Sequence, residues 1–148
     1  EFSMMIQLVA SIIEREKWSS LSETLRSQIY LVDYNRLQRV ITHSRFHKLD
    51  YIIHRMNFDF SAVYLIYDPK GNEVIYIGET NSLYSRITEH VKGLGRYSLV
   101  LKIKRRPEMS QKIEDYKIKY ITVEDFRERK FSENLLLGMY KPMLNYTR

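Results

Sequence analysis

The stretch from Ser61 to Gly93, SAVYLIYDPKGNEVIYIGETNSLYSRITEHVKG, decides how the rest of the chain is read. Ala62–Asp68 and Glu73–Gly78 are short runs rich in β-branched and aromatic residues, and Pro69-Lys70-Gly71-Asn72 between them is turn chemistry. Two such runs one turn apart predict a β-hairpin. The period then changes. From about Ser82 to Lys92 the apolar residues Leu83, Ile87 and Val91 fall on one side of a helix, and Gly93 suits its left-handed end.

Downstream, Ser98–Lys104 alternates, with Leu99, Leu101 and Ile103 on one side and Lys102 and Lys104 on the other. That pattern predicts a half-buried strand with a basic wet face. Tyr116–Ile121 alternates again and predicts a further strand. Thr122-x-x-Asp125 opens a last helix that runs to about Tyr140 and stops at Pro142. Upstream, residues 4–58 read as a helical region. Met5, Leu8, Val9, Ile12 and Ile13 share one helical face. Ser20-x-x-Glu23 suggests a capping box for a second helix with Leu21, Leu25, Ile29 and Val32 as its apolar stripe. A third helix is expected from about Asn35 to Met56, with a break near Ser44. Residues 1–3 read as a cloning remnant ahead of Met4. The expected architecture is α+β: a small mixed or antiparallel sheet of about three strands flanked by helices, in a domain over 61–148, with an N-terminal helical extension.

Composition narrows the chemistry. The chain of 148 residues has no cysteine, which excludes disulfides, thiol catalysis and thiolate zinc. No apolar run approaches the roughly 18 residues of a spanning helix, so no membrane is expected. No basic leader segment is evident, and the expected location is intracellular: cytoplasm and nucleoid, or nucleus. Lys+Arg outnumber Asp+Glu by 24 to 18. The excess is local: Lys92, Arg96, Lys102, Lys104, Arg105 and Arg106 occur with no acid between them. Such a run suits a polyanion, most simply a nucleic-acid backbone, or forms a solvated basic face.

Two side-chain placements stand out. Arg86 and His90 are one helical turn apart, about 40° from one another on the wheel and at the rim of the apolar stripe. Groups held there can be aimed at a phosphate; otherwise Arg86 is a boundary arginine paired with Glu89 or Glu79. Glu133 shares a face with Leu136, Leu137 and Tyr140. A carboxylate in that position is costly unless it binds something, such as Mg²⁺, or pairs with Lys130 or Arg129. His43 and His47 have metal-ligand spacing but no evident third partner.

Together these residues resemble a known pattern. Ala62-Val63-Tyr64, eleven residues, Tyr76-Ile77-Gly78, then Gly78-x-Thr80-x-x-Leu83-x-x-Arg86-x-x-x-His90, Glu133 and Pro142-x-x-Asn145 resemble the GIY-YIG nucleases over residues 61–146. Ala62 replaces the usual first glycine. The resemblance implies a Mg²⁺-dependent DNA endonuclease, with Mn²⁺ as a substitute, that leaves 5′-phosphate and 3′-hydroxyl ends. It implies Glu133 as the sole protein metal ligand and Tyr64 as general base, with His90 as a rival for the proton. Tyr76 positions water or phosphate, Arg86 stabilises charge, and Asn145 closes the fold. Double-stranded or branched DNA is the expected partner. Three roles fit: a restriction enzyme acting as a homodimer, a structure-selective repair nuclease, or a mobile-element nuclease. The alternative is a DNA-binding module on a nuclease fold that is catalytically silent or needs a partner. The N-terminal helices could form a helix-turn-helix with Arg36, Arg39 and Arg45 on DNA, or pack on the core.

Overall fold

In the computed structural model, residues 7–96 and 98–146 are described. They run α1 (Val9–Ile12), α2 (Arg15–Ser20), α3 (Glu23–His43), β1 (His47–Lys48), α4 (Leu49–His54), β2 (Ala62–Tyr67), β3 (Val74–Thr80), α5 (Leu83–Lys92) and α6 (Leu99–Lys104). A 3₁₀ turn (Ile113–Asp115), β4 (Lys117–Thr122), α7 (Phe126–Tyr140) and a second 3₁₀ turn (Met143–Asn145) follow.

The hairpin forms as its sequence dictates, and β4 adds to the other side of β2. The order is β1-β4-β2-β3 and every pairing is antiparallel. Three strands of six or seven residues are joined by a two-residue β1, so the sheet has four strands and is antiparallel, not mixed. Every residue of β2 is buried, because helices cover both faces of the sheet. Ala62, Tyr64 and Ile66 point into one core, with Leu49 and Ile52 of α4, Leu83 and Ile87 of α5, and Leu99 and Ile103 of α6. Val63, Leu65 and Tyr67 point into the other, with Leu37 and Ile41 of α3 and Leu136 of α7.

Several expectations are corrected. Ser98–Lys104 is not a strand: Leu99–Lys104 is α6, and it buries Leu99, Lys102 and Ile103. Those three sit at i, i+3 and i+4, so the same short run fits a helix as well as an alternation, and the core shared with α4 and α5 supplied the cover. The region expected to be wholly helical contributes β1 to the sheet. The expected break near Ser44 is present, since α3 ends at His43, but α3 joins the second expected helix and the start of the third into one. Its cap is Ser22, whose hydroxyl accepts from the Leu25 N–H, rather than Ser20. Its buried residues are Asp33, Leu37 and Ile41, while Leu25 and Val32 are 41% and 47% exposed. The stripe was misread because its key member is polar: the buried Asp33 carboxylate accepts from the amides of Val9 and Ala10 at 2.7 and 2.9 Å and caps α1. Helix α7 is capped by Asp125, which accepts from the Glu128 N–H, and not by Thr122. Residues 1–3 and Met5 lie outside the described residues. Among the described residues no helix is long and apolar enough to cross a membrane.

Candidate active site

Strand β3 is the outer strand of the sheet, and α5 starts two residues after it. Ser82 caps α5, Asp59 accepts from the Tyr84 N–H at 3.0 Å, and Gly93 at φ 71° ends the helix. This fixes Arg86 and His90 over the hairpin.

His90 is 1% exposed. Its Nδ1 lies 3.0 Å from the Leu99 amide nitrogen, which can only donate, so Nδ1 is the acceptor. The ring proton of the neutral imidazole therefore sits on Nε2, which donates to the Tyr64 hydroxyl oxygen at 3.0 Å. Burial, then Arg86 and Lys102, lower the His90 pKa to about 3. Tyr64 is fully buried, and burial together with neighbouring Tyr76 pushes its pKa up against the opposing pull of Arg86. Gly78 makes room for it: a Cβ there would lie 2.3 Å from the Tyr64 hydroxyl oxygen. Tyr76 meets His90 edge-on at 5.0 Å. Burial disfavours the Arg86 cation, but the Tyr64 and Tyr76 oxygens more than reverse this and keep it protonated. Its Nη1 also reaches Glu89 at 3.3 Å.

The other half comes from α7, across the second core. Glu79, near the end of β3, pairs with Arg129 Nε at 3.1 Å, and Arg129 also donates to the carbonyls of Val123 and Glu124. Lys130 Nζ reaches Glu79 at 3.6 Å and Glu133 at 3.7 Å. Burial raises the Glu133 pKa, and Lys130 opposes this. Lys130 and Glu79 thus link Glu133 to the β3 edge, and the Glu133 charge is the least of the causes that raise the Tyr64 pKa. Asn145 holds that edge: its Nδ2 donates to the Ile77 carbonyl at 2.7 Å and its Oδ1 accepts from the Ile77 N–H at 2.8 Å.

Of the six expected site residues, Tyr64, Tyr76, Arg86 and His90 lie against one another, Asn145 holds Ile77 of the same strand as Tyr76, and Glu133 reaches the end of that strand through Lys130 and Glu79. The expected basic run is divided. Lys92, Arg96, Lys104 and Arg105 are exposed, and Arg106 pairs with Glu108 at 3.7 Å. Lys102 is corrected from an outward DNA contact to a buried residue. Its Nζ donates to the Leu144 carbonyl at 2.6 Å and lies 5.4 Å from the Tyr76 ring centre. Glu79 and Arg129, each allowed by the sequence as a partner of Arg86 or Glu133, pair with one another instead, while Arg86 takes Glu89 and Glu133 takes Lys130. His43 bonds the Arg39 carbonyl, whereas His47 stacks on Tyr51 and Tyr120, and no group of three or more metal-ligating side chains occurs among the described residues.

The depressed His90 value sets a pH effect. His90 takes a proton near 6.5 when unfolded but only near 3 when folded, so the unfolded chain binds more protons between those values. Its stabilising contribution is complete above about 6.5 and fades toward about 3. About 2 kcal/mol should go between pH 6.5 and 5. Thermal melting should show a larger drop from pH 7 to 5 in the wild type than in His90→Gln. Equal drops would place the acid sensitivity in other groups.

The sequence profile of the GIY-YIG catalytic domain matches residues 60–145. No curated protein sequence matches the chain. Among solved structures, the chain is similar to the GIY-YIG N-terminal endonuclease domain of UvrC from Thermotoga maritima, a point mutant bound to its catalytic divalent cation. Identity is 21%, the TM-score is 0.46, and the match covers 67% of this chain and 93% of that one.

Proposed function

Because the chain belongs to the GIY-YIG family, whose catalytic domain is that of a DNA endonuclease, we propose that it hydrolyses DNA phosphodiesters with Mg²⁺, or Mn²⁺ in its place, to 5′-phosphate and 3′-hydroxyl ends. The observation that carries this reading is the packing of Tyr64, Tyr76, Arg86 and His90 against one another beside the strand that Asn145 holds, with Glu133 linked to that strand's end through Lys130 and Glu79. Glu133 fits a hard divalent ion: it is a partly buried carboxylate that already has a cation against it, and a site with one carboxylate leaves room for water and phosphate oxygens. When bound, the ion supplies positive charge for the departing 3′ oxygen.

The protein's own residues do the rest. Arg86 donates to the non-bridging oxygens as negative charge builds on them. Tyr64 takes the proton of the attacking water as the phenolate, once its own hydroxyl proton, which burial holds in place in the resting protein, has passed to solvent. His90 is unsuited to that role, since Nδ1 is taken by the Leu99 amide and Nε2 carries its proton toward Tyr64. As a donor it stabilises a Tyr64 phenolate, and Arg86 acts in the same sense. Tyr76 positions water or phosphate. Lys92, Arg96, Lys104, Arg105 and Arg106 serve the DNA backbone. Cutting both strands of a duplex with one site per chain calls for two copies or two visits.

The test is cleavage of supercoiled plasmid and of defined linear and branched DNA with Mg²⁺, beside Glu133→Ala. Cleavage that disappears in the variant is expected. Discrete linear fragments would identify a restriction-like enzyme, and cuts confined to branches a repair or recombination role. DNA binding without cleavage in both proteins would replace the reading by a silent binding module.

A further inference from the structure

Glu79, Glu133, Arg129 and Lys130 form a quartet of two carboxylates and two cations beside the β3 edge. The two cations differ in kind. The Arg129 side chain is 6% exposed and fixed by two backbone carbonyls besides Glu79. The Lys130 side chain is 49% exposed, and its ammonium sits 3.6 Å from one carboxylate and 3.7 Å from the other. An ammonium between two carboxylates supplies the charge that a divalent ion would bring to the same oxygens. It does so on a flexible stem, and half-exposed pairs of this type are weak and readily exchanged for water.

We propose that Lys130 is a place-holding cation: in the DNA-free protein its ammonium occupies the Glu133–Glu79 position and must withdraw before a divalent ion can bind there. This rests on Glu133 being the metal carboxylate. With Lys130 in place the quartet is formally neutral, so an incoming ion gains little attraction. With Lys130 removed it carries one negative charge, and the ion is drawn in. A DNA phosphate reaching the edge offers Lys130 another anion, so the ion and the DNA help one another to bind.

The test is Mn²⁺ binding to the full chain without DNA, read by electron paramagnetic resonance of free Mn²⁺. The wild type is compared with Lys130→Met and Glu133→Gln, and each fold is checked by circular dichroism. Methionine keeps the length and helix preference of lysine without its charge. Lys130→Met is expected to bind Mn²⁺ about tenfold more tightly than wild type, a change of about 1.4 kcal/mol, and Glu133→Gln to lose this binding. Equal affinity in Lys130→Met and wild type, with loss in Glu133→Gln, would overturn the place-holder while leaving the metal carboxylate standing. Unchanged binding in Glu133→Gln would overturn the metal reading and this inference with it.

Discussion

Replacing Arg86 with alanine is expected to lower the cleavage rate on saturating DNA by about 100-fold or more, while the melting temperature shifts by only a few degrees. The side chain is 37% exposed and its paired Glu89 is 42% exposed, so little folding energy rides on that contact. Its chemical position is different. The guanidinium faces the Tyr64 and Tyr76 oxygens, where the proposed mechanism puts both the proton acceptor and the phosphate. Removing it takes away a donor to the charged transition state and one of the two groups that favour a Tyr64 phenolate. Lysine should recover little, because its single ammonium cannot bridge two oxygens as the planar fork does. Single-turnover rates on a defined substrate, with melting curves beside them, check this. Turnover within a few-fold of wild type would remove Arg86 from the chemistry.

The second large effect is expected from one methyl group. In Gly78→Ala the new Cβ would lie 2.3 Å from the Tyr64 hydroxyl oxygen and 2.4 Å from the ring carbon that bears it. Neither can retreat easily, since the ring is fully buried and its oxygen is tied to His90. Either the ring turns or β3 moves. Overpacking of this kind costs about 1–3 kcal/mol, and misplacing a reacting group by about 1 Å costs about 100-fold in rate. Both losses should appear together. Adding Tyr64→Phe to the variant should not restore stability, because ring carbons at 2.4 and 2.9 Å still clash. A Gly78→Ala protein with normal stability and rate would show that Tyr64 can be repositioned without harm.

The hairpin, helix α5, strand β4 and the span of α7 were legible because each is encoded locally. Strand alternation, turn residues, a capping serine and a closing glycine act within a few positions of one another. The candidate site was picked out on local grounds too: Arg86 and His90 are one turn apart, and the resemblance to the family's motifs points to Tyr64, Tyr76, Glu133 and Asn145. Illegible features depend on partners far along the chain. Lys102 became a buried residue because the Leu144 carbonyl, 42 residues away, accepts a hydrogen bond from its ammonium. Asp33 became the packed face of α3 because the amides of Val9 and Ala10 needed an acceptor. The tautomer of His90 is set by a backbone amide in α6, in a segment whose periodicity pointed to a strand. Side-chain pairing with distant backbone leaves no periodic trace.

The Asn145 clamp also bears on self-association. A sheet's outermost strand carries unmet amides and carbonyls that invite a second molecule to add its own strand, the first step toward fibrils. One carboxamide fills both hydrogen-bonding positions of Ile77 in the middle of β3. It interrupts any continuous intermolecular ladder there.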